Sequence, residues 1–249
     1  MSKIIAFANH KGGVSKTTSV ANIGAILAQK GKRVLLIDLD AQANLTDYYL
    51  KERPEESIYN SLVDETPLPI SQIGERLFLV PSSLEMVGLE TKIADNIDRA
   101  ELLQILIEPI EGDYDYILMD CPPSLGIITL NALIAATDLY ISLTAETIPV
   151  KGLKMLTDAM AKVQKRKNPS LKLSGIIINR WGGRNLNKDI ENSLRQRYGD
   201  IVFKTKIREN IAIAEAPSYL KDVASYAPTS HGAEDYKALT EEVLSRTKE

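Results

Sequence analysis

Seven short apolar, β-branched runs recur along the chain: KIIAFA, KRVLLIDLD, RLFLVP, DYILMD, DLYISLT, LSGIIIN and DIVF. Most are continuous rather than alternating, the pattern of strands buried on both faces of a parallel sheet. Helical patterns lie between them. Residues 17–30 place Val20, Ile23 with Gly24, Leu27 and Ala28 on one face at 3.6-residue spacing, and Gly31 supplies a stop. Residues 150–167 set Leu153, Leu156, Met160 and Val163 on one side. A last helix is expected over 232–246. This β-α alternation predicts an α/β fold, a doubly wound, mostly parallel sheet flanked by helices, in a single domain over residues 1–249. Residues 51–75, rich in Pro and Glu, read as a peripheral insertion.

The first run leads into FANHKGGVSKTT, residues 7–18, followed by the first helical pattern. The order strand, glycine-rich loop, helix is that of a phosphate-binding loop. The usual spelling G-x-x-x-x-G-K-[ST] is not met: His10 and Ser15 occupy the two glycine positions. Instead Gly12–Gly13 stand as a pair with a second lysine, Lys11, before them. The pair lets the backbone turn sharply and aim N–H groups at an anion. The helix N-terminus adds positive partial charge. Lys16 then reaches the terminal phosphates and Thr17 sits where a hydroxyl ligates magnesium. Two more runs end in carboxylates, VLLIDLD in Asp38 and Asp40 and YDYILMD in Asp120. A strand-end Asp of that kind holds Mg²⁺ in phosphate-loop NTPases.

These segments together resemble the ParA/MinD family of ATPases. HKGGVSKTT is similar to its deviant Walker A loop, DLDAQANLT to its DxDPQGN segment, and DYILMDCPPSLGIITLNAL to its Walker B strand and switch. VPSSLEMVGLE, AETIPVKGL and AEAPSYLKDVASYAPTSHGAEDY resemble the ParA branch, so the match runs from about residue 3 to residue 245. Within the family the chain looks most like short ParA/Soj-type partition proteins without an N-terminal DNA-binding extension.

The resemblance implies an ATPase with ATP and Mg²⁺ as cofactors. It assigns Lys16 to the β- and γ-phosphates, Thr18 to the α-phosphate, and the Gly12, Gly13, Val14 and Ser15 stretch to the phosphate cradle. Thr17, Asp38 and Asp120 serve the magnesium, and Asp40 positions the attacking water. Asn179 reads the adenine and Pro217 lies in the loop closing over it. Lys11 reaches across an ATP-dependent homodimer to the partner's nucleotide, and Glu146 lies in the dimer-facing segment. The implied function is DNA partition: nonspecific binding of double-stranded DNA by the ATP dimer, stimulated by a ParB-like protein. Arg184 and Arg208 are the candidate DNA contacts.

Departures from the family pattern are specific. Ser15 replaces the usual Gly before Lys16, and Ala41 and Ala43 replace the Pro and Gly of DPQGN. Glu209 and Ala212 stand where basic residues often meet DNA. With 33 acidic and 30 basic residues the net charge is −3, so any duplex surface must be a local patch. The basic residues of KVQKRKNPSLK read mainly as a solvated helix end, and Trp181 as a loop anchor or stacking residue. The alternative reading is a MinD-like ATPase on a non-DNA scaffold, but the tail KALTEEVLSRTKE is acidic and short of aromatics, unlike a membrane-binding helix. One cysteine, Cys121, excludes a disulfide framework and any cysteine-only metal site within the chain. No signal-peptide pattern opens the sequence and no apolar run reaches the length of a membrane span, so a cytoplasmic location without membrane contact is the expectation.

Overall fold

In a computed structural model of the chain, which describes residues 2–145 and 150–247, eight strands form one sheet. In chain order they are β1 (Lys3–Ala8), β2 (Val34–Asp38), β3 (Ser71–Gln72), β4 (Leu77–Val80), β5 (Tyr116–Asp120), β6 (Asp138–Thr144), β7 (Lys172–Trp181) and β8 (Val202–Arg208). Their spatial order is β3-β4-β2-β5-β1-β6-β7-β8. Every neighbour is parallel except the β3–β4 pair at one edge.

The apolar runs are continuous because both faces are covered. Along β1, Ile4, Ala6 and Ala8 enter one core, while Ile5 and Phe7 enter the other. That is the two-residue alternation of a strand with no solvent face. The second core also takes Val20, Ile23 and Leu27 from the helix Lys16–Gln29, with Tyr236, Leu239 and Val243 from the helix His231–Arg246. The first takes Leu153, Leu156, Met160 and Val163, the predicted face of the helix Val150–Arg166. Gly24 has a packing reason: a Cβ there would lie 2.6 Å from Leu36 Cδ2, so its absence lets the first helix approach the sheet. Gly31, with φ 85°, ends that helix in the left-handed region that glycine tolerates.

One expectation is corrected. The segment 51–75 is not wholly peripheral: it contains the helix Ile58–Asp64 and β3, and Ile58, Leu62 and Leu68 are buried in the first core. The Ser57 hydroxyl caps that helix, accepting from Tyr59 N at 3.3 Å.

The topology positions the site. Strands β2, β5 and β1 are successive neighbours, and their registers set Asp38 opposite Asp120 and Phe7 opposite Asp120. The carboxyl ends of the two Asp strands therefore open beside the loop that leaves β1. The chain passes to one side of β1 through β5 and to the other through β6. Such a switch point leaves a crevice at the strand ends, where open α/β sheets bind ligands.

Candidate nucleotide site

The loop after β1 is held at both flanks. Asn9 donates Nδ2–H to Ser142 O on β6 at 2.5 Å and accepts from Lys11 N at 3.1 Å. Asn179, at the end of β7, donates Nδ2–H to Val14 O at 3.2 Å. Between these anchors the backbone turns through left-handed conformations at Gly13 (φ 71°) and Ser15 (φ 64°). Lys16 then begins the first helix and is buried, only 7% exposed. Successive N–H groups at a helix start beside a buried ammonium make a cradle for phosphate oxygens.

Behind the lysine lie the carboxylates. Thr17 donates its hydroxyl to Asp120 Oδ2 at 2.5 Å, while the buried Asp120 Oδ1 has no partner among the described residues. Asp38 accepts from Thr46 N and Thr46 Oγ1, both at 2.8 Å, and from Asp40 N at 3.1 Å. Burial pushes Asp38 up to about 6, against those hydrogen bonds. Burial, reinforced by repulsion from Asp38, pushes Asp120 up to about 7, although Lys16 and the Thr17 hydroxyl oppose it. Two crowded carboxylates, an unpartnered oxygen and a threonine hydroxyl form an all-oxygen donor set, the kind a magnesium ion takes. Thr17, Asp38 and Asp120 would hold it, directly or through water, and it would neutralise charge on the phosphates.

Asp40 stands at the mouth, half-buried, and its Oδ1 accepts from Gln42 N at 3.0 Å. With Gly12 to Thr18 and Pro217 it lines a cleft of about 500 Å³. Ser15, Thr18, Asn179 and Pro217 also line a second cleft of about 560 Å³ beside the first. At its base Asn179 Oδ1 is buried without a partner among the described residues. Nδ2 donates to Val14, and the unpartnered Oδ1 offers an acceptor, which suits an amino group such as that of adenine.

The predicted phosphate, magnesium and base residues thus converge. Lys11 is exposed at the loop's entrance. Glu146 lies outside the described residues. The two DNA candidates differ. Arg184 is exposed ahead of the helix Asn185–Tyr198. Arg208 is half-exposed and its charge is already engaged: its guanidinium pairs with the largely buried Asp235, at 2.7 Å from Nη2 to Oδ1 and 2.9 Å from Nε to Oδ2, and with Glu234 at 3.3 Å. Residues the sequence did not single out also line the phosphate cleft, namely Gln42, Asn44, Tyr48 and Pro123. Arg180, which the motifs do not assign, lines both clefts, with φ 53° at the end of β7.

A family model described as an AAA domain matches residues 2–173. The sporulation initiation inhibitor protein Soj of Bacillus subtilis is 38% identical over 251 residues, covering 98% of this chain and 99% of that protein. The chromosome-partitioning ATPase Soj of Thermus thermophilus is 41% identical over 246 residues, covering 98% and 96%. The chain belongs to the ParA/Soj-type partition ATPases. Among solved structures, cobyrinic acid a,c-diamide synthase from Mycobacterium smegmatis, with a bound ATP analogue and magnesium, superposes with a TM-score of 0.88 at 31% identity, covering 100% of this chain and 96% of that one. The protein is accordingly an ATPase, and ATP and Mg²⁺ are its cofactors. No described helix is long and apolar enough to cross a membrane.

Proposed function

We propose that this ATPase forms an ATP-dependent homodimer that binds double-stranded DNA without sequence preference and is stimulated by a ParB-like partner to segregate a plasmid or chromosome. The observation that carries the reading is the different burial of the two lysines of one loop. Lys16 is buried against Asp120, where it serves its own chain's phosphates, while Lys11 is exposed at the rim. A short loop does not turn both ammonium groups onto one terminal phosphate, so Lys11 is assigned to the nucleotide of a second subunit. Lys16 and Lys11 stabilise the charge of the transferring group. Asp40, at the cleft mouth, orients the attacking water.

DNA contact is assigned to the exposed Arg184 and its surroundings. Arg208 contributes less, because Asp235 and Glu234 already offset its charge. That pair, with the exposed Glu209 next to it, favours a second reading in which the same engine runs on a non-DNA scaffold. Co-sedimentation with duplex DNA in ATP, ADP and no nucleotide separates the two. The first reading expects retention only with ATP, falling with salt at a log–log slope of about −0.9 per neutralised phosphate. Absence of retention at low salt, with the ATP dimer formed, overturns the DNA assignment.

A further inference from the structure

Asn22 has no part in the assignments above, yet it is fully buried in the first helix, and its single carboxamide joins three walls of the nucleotide site. Its Nδ2 donates to Thr18 O at 2.7 Å and to Tyr48 Oη at 3.2 Å, while its Oδ1 accepts from Val223 N at 2.7 Å. Each partner belongs to a different functional segment. Thr18 lies in the first turn after the phosphate loop and lines both clefts. Tyr48 lines the phosphate cleft and sits in the helix Asn44–Tyr49, which follows the Asp40 loop and whose Thr46 holds Asp38. Val223 directly follows the segment 216–222, which contains Pro217, a wall of both clefts. The partners are 4, 26 and 201 residues away in sequence.

We propose that Asn22 is a positioning residue that couples the loop closing over the base to the loop carrying Asp40. The inference rests on the nucleotide reading of the two clefts. Its physical basis is that the buried amide is fully engaged by its neighbours: both Nδ2 hydrogens and Oδ1 are bonded. Moving the Val223 segment therefore pulls on the Tyr48 hydroxyl or leaves a buried polar group unpaired, which is destabilising. Base binding moves or steadies the segment 216–222. Through Asn22 and Tyr48 that change reaches the helix behind Asp40 and sets the water geometry, so the effect falls on turnover rather than on phosphate affinity.

The test uses the full chain with Mg²⁺ and compares wild type, Tyr48→Phe, Asn22→Ala and the double variant. Thermal melts establish the folded fraction. ADP titration gives affinity, and steady-state hydrolysis gives kcat and KM. Tyr48→Phe removes only the hydroxyl that Asn22 holds, so the fold survives even where Asn22→Ala proves unstable. The expected result is ADP affinity within twofold of wild type, KM little changed and kcat lowered about fivefold or more in Tyr48→Phe. The double variant is expected to have a kcat no lower than Asn22→Ala alone, because one bond is shared. An unchanged kcat per folded molecule in Tyr48→Phe overturns the coupling. So does a loss of kcat in proportion to ADP affinity or folded fraction, which is the signature of a merely structural residue. Failure of wild type to bind ADP would instead overturn the nucleotide reading.

Discussion

Ser15→Gly is expected to stabilise the protein. Ser15 has φ 64° and ψ 33°, and its side chain makes no cap hydrogen bond to the helix it precedes. An L-residue in that region costs roughly 1–2 kcal/mol through Cβ crowding against the backbone. Glycine removes the crowding but adds about 0.5–1 kcal/mol of unfolded-state entropy to be lost. At the midpoints the net gain is about 0.75 kcal/mol, or about 1.5–3 °C in Tm for a chain of this length. The bonds that the Ser15 carbonyl accepts, from Ser19 N at 3.0 Å and Ser19 Oγ at 2.8 Å, are retained. Ala43→Gly is the internal control. Ala43 has φ 55° but is fully buried, so the strain relieved is offset by a lost buried methyl worth about 0.8 kcal/mol, and little net change follows. Calorimetry of the nucleotide-free variants reads both. A Ser15→Gly Tm at or below wild type would refute the strain argument.

Three further outcomes follow from the site. Asp40→Ala is expected to bind Mg-ATP normally, to persist as the ATP dimer in sedimentation, and to hydrolyse at least tenfold more slowly; wild-type turnover would shift the water-positioning role to another group. Lys11→Gln is expected to leave ADP affinity of the monomer within about twofold while weakening ATP-driven dimerisation and hydrolysis together, as read by sedimentation and phosphate release. Asp38 and Asp120 are raised above the ordinary carboxylate value, so between about pH 4 and 7 the folded state holds protons the unfolded state has released. The metal-free protein then loses stability as pH rises through that window. Asp120→Asn should flatten the loss in thermal melts, and an unchanged pH profile would show that the pair is not its source.

The strands were readable because burial on both faces of a parallel sheet leaves an unbroken apolar run, and the long helices because one face packs on that sheet. Strand order was not, since nothing in β5 or β6 states that they flank β1. The carboxylates Asp38 and Asp120 were legible by position at strand ends, but their pairing across β2–β5 is a property of register. Ser15 and Ala43 were visible only as departures from glycine; the left-handed backbone explains why glycine is the easier residue at both. Arg208 read as a basic residue near a DNA segment because its neutralising partner, Asp235, lies 27 residues away. Arg180 joined the clefts only once β7 was placed beside the loop. Asn22 carries no signal in the sequence, since one of its bonds spans 201 residues.

Titration of wild type and Lys16→Ala with Mg-ATP, each checked for folding by thermal melt, tests the nucleotide site most directly. Lys16 is a buried ammonium at the head of the phosphate loop. Charge-assisted contacts of that kind contribute about 1.5–3 kcal/mol each, and a γ- and β-phosphate pair doubles the loss. The account predicts saturable binding by wild type and a loss of at least a hundredfold in the folded variant. Wild-type affinity in folded Lys16→Ala would contradict it.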